Sequence, residues 1–275
     1  MKKAYVCNHQ GWTDIVCFLP QLNYYSKFYD ELTVFYREES RDLVEFYIKD
    51  LDKVNAVFVK TDNGANLFQY TKPKFIKTYN YVTAFYEPSE DPTLNDYDFL
   101  FHGQYDIMRK DKYRHASRGS QPGGYDFFVE CFYERYGIDY QNRISCFEIS
   151  RDKQLEEHAY SNFIKEHGEN YIVYHDMPHS AFKKDTRNTR IEFTNKLDGY
   201  EYVNLHKKTN TFFDYIKVIQ NSKEVHLIDS VWAAICYQLD SKYSLFSHLD
   251  IKIYCRRGHN KMFYTPKKLD NWTII

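Results

Sequence analysis

Short apolar runs alternate with longer amphipathic stretches along this chain of 275 residues. Residues 4–8 (AYVCN), 32–36 (LTVFY) and 55–59 (NAVFV) have the length and the β-branched or aromatic content of buried strands. Between them, 14–28 sets Val16, Leu19, Leu22 and Asn23 at helical spacing around Pro20. Residues 40–50 set Leu43, Phe46 and Tyr47 on one helical face. This strand–helix order predicts parallel β-α-β units with right-handed crossovers. Periodicity fades over 61–92, where one short strand is expected at 79–85. A clear strand follows at 98–102 (DFLFH), then a loop at 117–124 (SRGSQPGG), a helix at 125–136 and a strand at 143–149.

The second half repeats the alternation. Ser150 is the expected N-cap of a helix that runs to about His167, where Gly168 can end it. Strands are expected at 170–175 (NYIVYH), 201–205, 224–228 and 251–254, with helices at 211–220 and 231–239. A polar stretch rich in Lys and Arg fills 176–189, and the tail 267–275 returns across the molecule. The expected fold class is therefore α/β, with two Rossmann-like halves, 1–150 and 151–275, facing across a cleft. Ligands of such sheets bind outside the carboxyl ends of the strands.

Composition narrows the class. Hydrophobic residues make up 43% and charged residues 27%, which excludes a disordered chain. The net charge of -1 argues against a dedicated nucleic-acid binder. No window reaches the ~18 apolar residues of a membrane span, and the start lacks a signal-peptide core, so a cytoplasmic protein is expected. The six Cys show neither a CxxC pair nor zinc-ligand spacing and read as reduced core residues. Tyr (27) and Phe (21) are abundant, which fits either codon bias or a Tyr-lined sugar cleft.

Four clusters carry candidate chemistry. After the first strand, His9, Gly11, Trp12 and Asp14 sit in a turn and the start of a helix. Gly11 lets backbone approach a ligand, and Asp14 can act as a general base or simply favour the helix start. After the strand at 224–228, Asp229 and Ser230 open a helix, where they can cap it or where its first amides can hold a diphosphate. After the strand at 170–175, His175 leads through His179 to Lys183, Lys184, Arg187 and Arg190, cations able to neutralise a leaving diphosphate. His102, Gly103, Gln104 and Arg109 follow the strand at 98–102. Pro178 argues against a helical His175–His179 metal pair, and Asp96-Tyr97-Asp98 precedes its strand instead of ending it, so no metal site is expected. The chain has no P-loop, GxGxxG, G-x-S-x-G or HExxH pattern.

The stretch from Gly11 through Asp14 to Pro20 resembles the G-x-G-D-x-x-x-x-x-P opening of the heptosyltransferase-like, GT-B-fold glycosyltransferases (the ADP-heptose:LPS heptosyltransferase superfamily), with Thr13 in place of the second Gly. Asp229-Ser230 is similar to that family's D-S/T pair before an Ala-rich helix, with Val231 where the family has Gly. The resemblance implies a GT-B-like fold and an acceptor side in 1–150 that includes Gly11, Trp12, His102 and Arg109. It implies a donor side in 151–275 with His175, Lys183, Arg187, Arg190, Asp229 and Ser230. Asp14 is then the catalytic base, with His9 beside it. The implied reaction is metal-independent, inverting transfer from a nucleotide-diphosphate sugar to a glycan hydroxyl, in glycan or polysaccharide synthesis. The nucleotide sugar is a substrate, and no cofactor is expected. Two rivals remain: a sugar-nucleotide epimerase or pyruvyl transferase on the same scaffold, and a non-catalytic glycan-binding module.

Overall fold

A computed structural model describes residues 1–8, 12–59, 76–78, 81–83, 97–102, 129, 133, 138–176, 191–205, 211–254 and 269–275. The chain divides into two compact units, one of Met1–Pro122 with Phe128–Ser150, the other of Gly123–Phe127 with Arg151–Ile275.

The first unit is built on β1 (Lys3–Asn8), β2 (Glu31–Arg37), β3 (Val54–Val59) and β6 (Tyr97–His102), ordered β3-β2-β1-β6 and all parallel. Parallel neighbours need a crossover. Helices α1 (Trp12–Tyr25) and α2 (Arg41–Ile48) make the first two. Along β2 the alternate residues Leu32, Val34 and Tyr36 are buried, which is the period-2 signature of a strand with one core face. α1 is buried nearly all round, from Asp14 to Asn23. That burial holds a helix that contains Pro20, whose missing N–H and ring clash together cost about 3 kcal/mol in a helix interior. In place of a single strand at 79–85, β4 (Ile76–Thr78) and β5 (Tyr81–Thr83) form an antiparallel hairpin.

The strand expected at 143–149 does not form. Asp139 starts a turn by accepting the Gln141 amide at 2.8 Å, and Asn142–Ser145 is a single helical turn, α3. The Cys146 carbonyl is then taken by side chains instead of a strand ladder. Asn23 Nδ2 donates to it at 2.8 Å, and the Tyr47 hydroxyl donates at 3.3 Å. This ties α1 and α2 to the end of the unit. Arg143 is fully buried beside them, with Nη1 on the Tyr140 hydroxyl at 2.5 Å and Nη2 on Cys17 Sγ at 3.3 Å. The helix expected at 125–136 falls outside the described residues except for Val129 and Tyr133, both helical and buried.

The second unit starts at α4 (Lys153–His167). Its N-cap is Asp152, not Ser150, and the Asp152 carboxylate accepts the amides of Gln154 and Leu155, each at 3.0 Å. Gly168, at φ 76°, ends it in a conformation that suits only glycine well. The sheet comprises β7 (Tyr171–His175), β8 (Glu201–Asn204), β9 (Glu224–Ile228), β10 (Asp250–Tyr254) and β11 (Trp272–Ile274), ordered β11-β10-β9-β7-β8 and wholly parallel. The expected helix at 211–220 is a 3₁₀ turn (Phe213–Tyr215) followed by α5 (Ile216–Gln220). α6 (Val231–Tyr243) links β9 to β10. The tail becomes β11, anchored by Trp272, whose Nε1 donates to the buried Asp240 carboxylate at 3.0 Å.

One sheet face carries Tyr171, Val173, Val225, Leu227, Ile251 and Ile253, all buried. Helices α4, α5 and α6 reach this face, through Phe163 on Tyr171, the Tyr171 hydroxyl on the Val218 carbonyl and Tyr237 on Trp272. The other face is polar and half-buried, with Tyr174, Tyr202, Glu224, Lys252 and Tyr254.

Replacing Asn23 by Ala should lower stability by about 1–3 kcal/mol, because it strips partners from the buried Cys146 carbonyl and the Tyr47 hydroxyl. Urea unfolding checks this, with the exposed Ser145→Ala as control, expected to stay within about 0.5 kcal/mol of the parent.

Candidate functional site

Each sheet contains one point where the strand order reverses. In the second unit β8 lies on one side of β7 and β9 on the other, so the crevice opens between the carboxyl ends of β7 and β9. His175 ends β7, and Ser230 stands two residues beyond β9 at the start of α6. The structure brings these two together: His175 Nδ1 lies 3.1 Å from Ser230 Oγ, both buried. Ser230 thus holds the N-cap position of its helix without a side-chain cap. Its backbone is extended (φ -149°, ψ -175°), and its hydroxyl makes no capping bond. The N–H groups of a helix's first turn have no partner within the helix, and they carry the positive end of its dipole. Asp229, fully buried, precedes them, its amide donating to the Tyr254 carbonyl at 3.3 Å.

The Trp232 side chain faces inward. Its Nε1 donates to the Leu205 carbonyl at 3.1 Å, and its ring meets Phe212 and Tyr215 edge-on. This packing fixes the first turn of α6 against the end of β8. Sequence reasoning gave Trp232 no positive part. An aromatic residue in the second position of a buried helix was the available signal.

In the first unit the order reverses between β1 and β6. Asn8 and His102 are register partners at the carboxyl ends of these strands. α1 opens at Trp12, and Asp14, 7% exposed, lies in its first turn. Trp12, Asp14 and His102 thus belong to the same edge of this unit. His9, Gly11, Arg109, His179, Lys183, Lys184, Arg187 and Arg190 lie outside the described residues.

No protein-family model matches the sequence, and no curated protein matches it. Among solved structures, the chain is similar to a glycosyl transferase family 9 protein from Veillonella parvula. The similarity covers 100% of this chain and 86% of that one, with a TM-score of 0.52 and 10% sequence identity. The fold is of that α/β kind. Among the described residues no group of three or more His, Cys, Asp or Glu is placed to hold a metal ion, and no helix is long and apolar enough to cross a membrane.

The polar face of the second sheet holds a charged cluster that sequence reasoning passed over. Glu224, His226 and Lys252 alternate along adjacent strands, which was the available signal. His226 contacts the Tyr254 hydroxyl through Nδ1 at 2.9 Å and Glu224 Oε2 through Nε2 at 3.1 Å. Lys252 Nζ donates to the same carboxylate oxygen at 2.5 Å. Burial pushes the His226 imidazole below its ordinary value and outweighs the opposing pull of Glu224. Burial also opposes ionisation of Glu224, but the bonds from Lys252 and His226 win and hold its carboxyl below the usual range.

Both shifts have the same consequence. A group that binds its proton less readily when folded adds stability at high pH and loses it on acidification. For His226 the loss begins as pH falls through its unfolded value near 6.5. Thermal unfolding at pH 7.5 and 5.5 should therefore show a drop in Tm that shrinks in His226→Gln. An equal drop in both proteins would remove His226 from this role.

Proposed function

We propose that this chain is a GT-B-type glycosyltransferase that moves a sugar from a nucleotide-diphosphate sugar to a glycan hydroxyl. The observation that carries the reading is the His175–Ser230 contact at the order reversal of the second sheet, against the start of α6. A buried hydroxyl, an imidazole and helix N-terminal amides form a donor set suited to a diphosphate. The likeness in fold to a glycosyl transferase family 9 protein supports the same reading. In this proposal the first unit serves as the acceptor side and the second as the donor side.

The chemistry follows from these roles. Asp14 takes the proton of the acceptor hydroxyl, and His9 assists it. The acceptor oxygen attacks the anomeric carbon while the bond from that carbon to the diphosphate oxygen breaks. The displacement is direct and inverts the carbon. The departing diphosphate gains charge as it leaves. The α6 amides, Ser230 and His175 meet that charge, and Lys183, Arg187 and Arg190 add cations to it. Asp229 supports the turn that presents these amides. Gly11, Trp12, His102 and Arg109 line the acceptor side. The reaction needs no metal and belongs to the cytoplasm, in glycan or polysaccharide synthesis.

Thermal unfolding against UDP, GDP, ADP, CMP and their common sugars tests the donor half. A ligand specific to the folded state stabilises it by about 2.7 kcal/mol at 100 times Kd. One base should raise Tm selectively. If none does in a folded sample, the glycan-binding module is the better reading. Once a donor is found, Asp14→Asn should cut kcat by roughly 10²- to 10⁴-fold while leaving donor Kd nearly unchanged. Conversion of the donor without acceptor would instead favour the epimerase. Ser230→Ala should weaken donor binding by about 1.5–3 kcal/mol, the value of a hydrogen bond to a charged group, as read by calorimetry.

A further inference from the structure

Asp176 follows His175 directly and has no part in the chemistry above. Its carboxylate nevertheless ties together three stretches of chain. Oδ1 accepts from Asn204 Nδ2 at 2.7 Å, and Oδ2 accepts from the Ile191 amide at 3.4 Å. Asn204 ends β8, the strand beside β7, and its register partner is Tyr174. Ile191 is buried. Two residues later the Phe193 ring sits edge-on to Tyr174, Tyr202 and His226, at centroid distances of 5.2, 4.6 and 5.1 Å. The end of β7 is therefore held from two sides. His175 reaches across to Ser230 beyond β9, and Asp176 reaches the other way to β8.

Charge alone gives Asp176 the wrong sign for binding a diphosphate. A carboxylate on the residue next to His175 repels such a ligand, so its removal by itself would tighten binding. Its hydrogen bonds act in the opposite sense, because a ring held in place loses less freedom when a ligand docks. We propose that Asp176 is a positioning residue of the donor site, holding the end of β7 so that His175 and Ser230 stay in the geometry that accepts a diphosphate. This inference rests on the donor-site reading above.

Two substitutions separate the opposing effects. Asp176→Ala removes both the charge and the tether. Asp176→Asn removes the charge, but its amide can still bond Asn204, whose own amide turns over, and accept from Ile191. The probe is inorganic pyrophosphate, which carries the diphosphate chemistry without a base or a sugar. Calorimetry on the full chain should show binding at least fivefold weaker in Asp176→Ala, and as tight as the parent or tighter in Asp176→Asn. Amide exchange at Ile191 and over 172–176 should quicken in Asp176→Ala alone, with an unchanged Tm. Should Asp176→Ala fail to fold, Asn204→Ala cuts one arm of the tether and should weaken pyrophosphate in the same direction. Pyrophosphate binding that is unchanged or tighter in Asp176→Ala overturns the positioning role and leaves the donor reading standing. No binding of pyrophosphate by the parent protein overturns both.

Discussion

Parallel strands cannot be joined by a tight turn, and the layout of both parallel sheets follows from that constraint. Each connection must cross the sheet, so all carboxyl ends collect at one edge. In each unit the order reverses once, between β1 and β6 in the first and between β7 and β9 in the second. At a reversal the neighbouring connections part, and a crevice opens that no helix fills. Trp12, Asp14 and His102 belong to one such edge, His175, Asp229 and Ser230 to the other. Their nearness is a product of topology and needs no clustering in sequence.

What the edge of the second sheet does depends on where one hydroxyl points. A serine at a helix start usually bonds the amides of the first turn. Ser230 bonds His175 instead. The choice leaves the helix start unblocked by its own side chain and places an imidazole beside it. Trp232, bonded to the Leu205 carbonyl and edge-on to Phe212 and Tyr215, fixes the first turn of that helix.

Strand positions were legible because buried parallel strands are nearly continuous apolar runs. The runs at 4–8, 32–36 and 55–59 each coincide with a strand. The run at 143–149 misled, since apolar alternation alone does not say who takes the backbone bonds. Asn23, 123 residues away in sequence, takes the Cys146 carbonyl. The Ser230 hydroxyl follows the same logic, its partner lying 55 residues upstream. β11 is three residues long and exists only by pairing with β10. The residues of the candidate donor edge were legible as strand-end positions; the bonds among them were not, because local spacing carries no information about partners on other strands.

The two faces of the second sheet show how far alternation reaches. Covered on both sides, a parallel strand reads as one apolar run. Here β9 and β10 alternate, with Val225, Leu227, Ile251 and Ile253 toward the helices and Glu224, His226, Lys252 and Tyr254 toward the other side. Polar residues packed so closely must satisfy one another, because a half-buried charge without a partner is costly. Lys252 and His226 both turn to Glu224, and Tyr254 closes the set on the ring's far nitrogen. Phe193 covers the imidazole, and its backbone continues from the Ile191 amide that Asp176 holds. The polar face thus joins the candidate donor edge through a short stretch of chain.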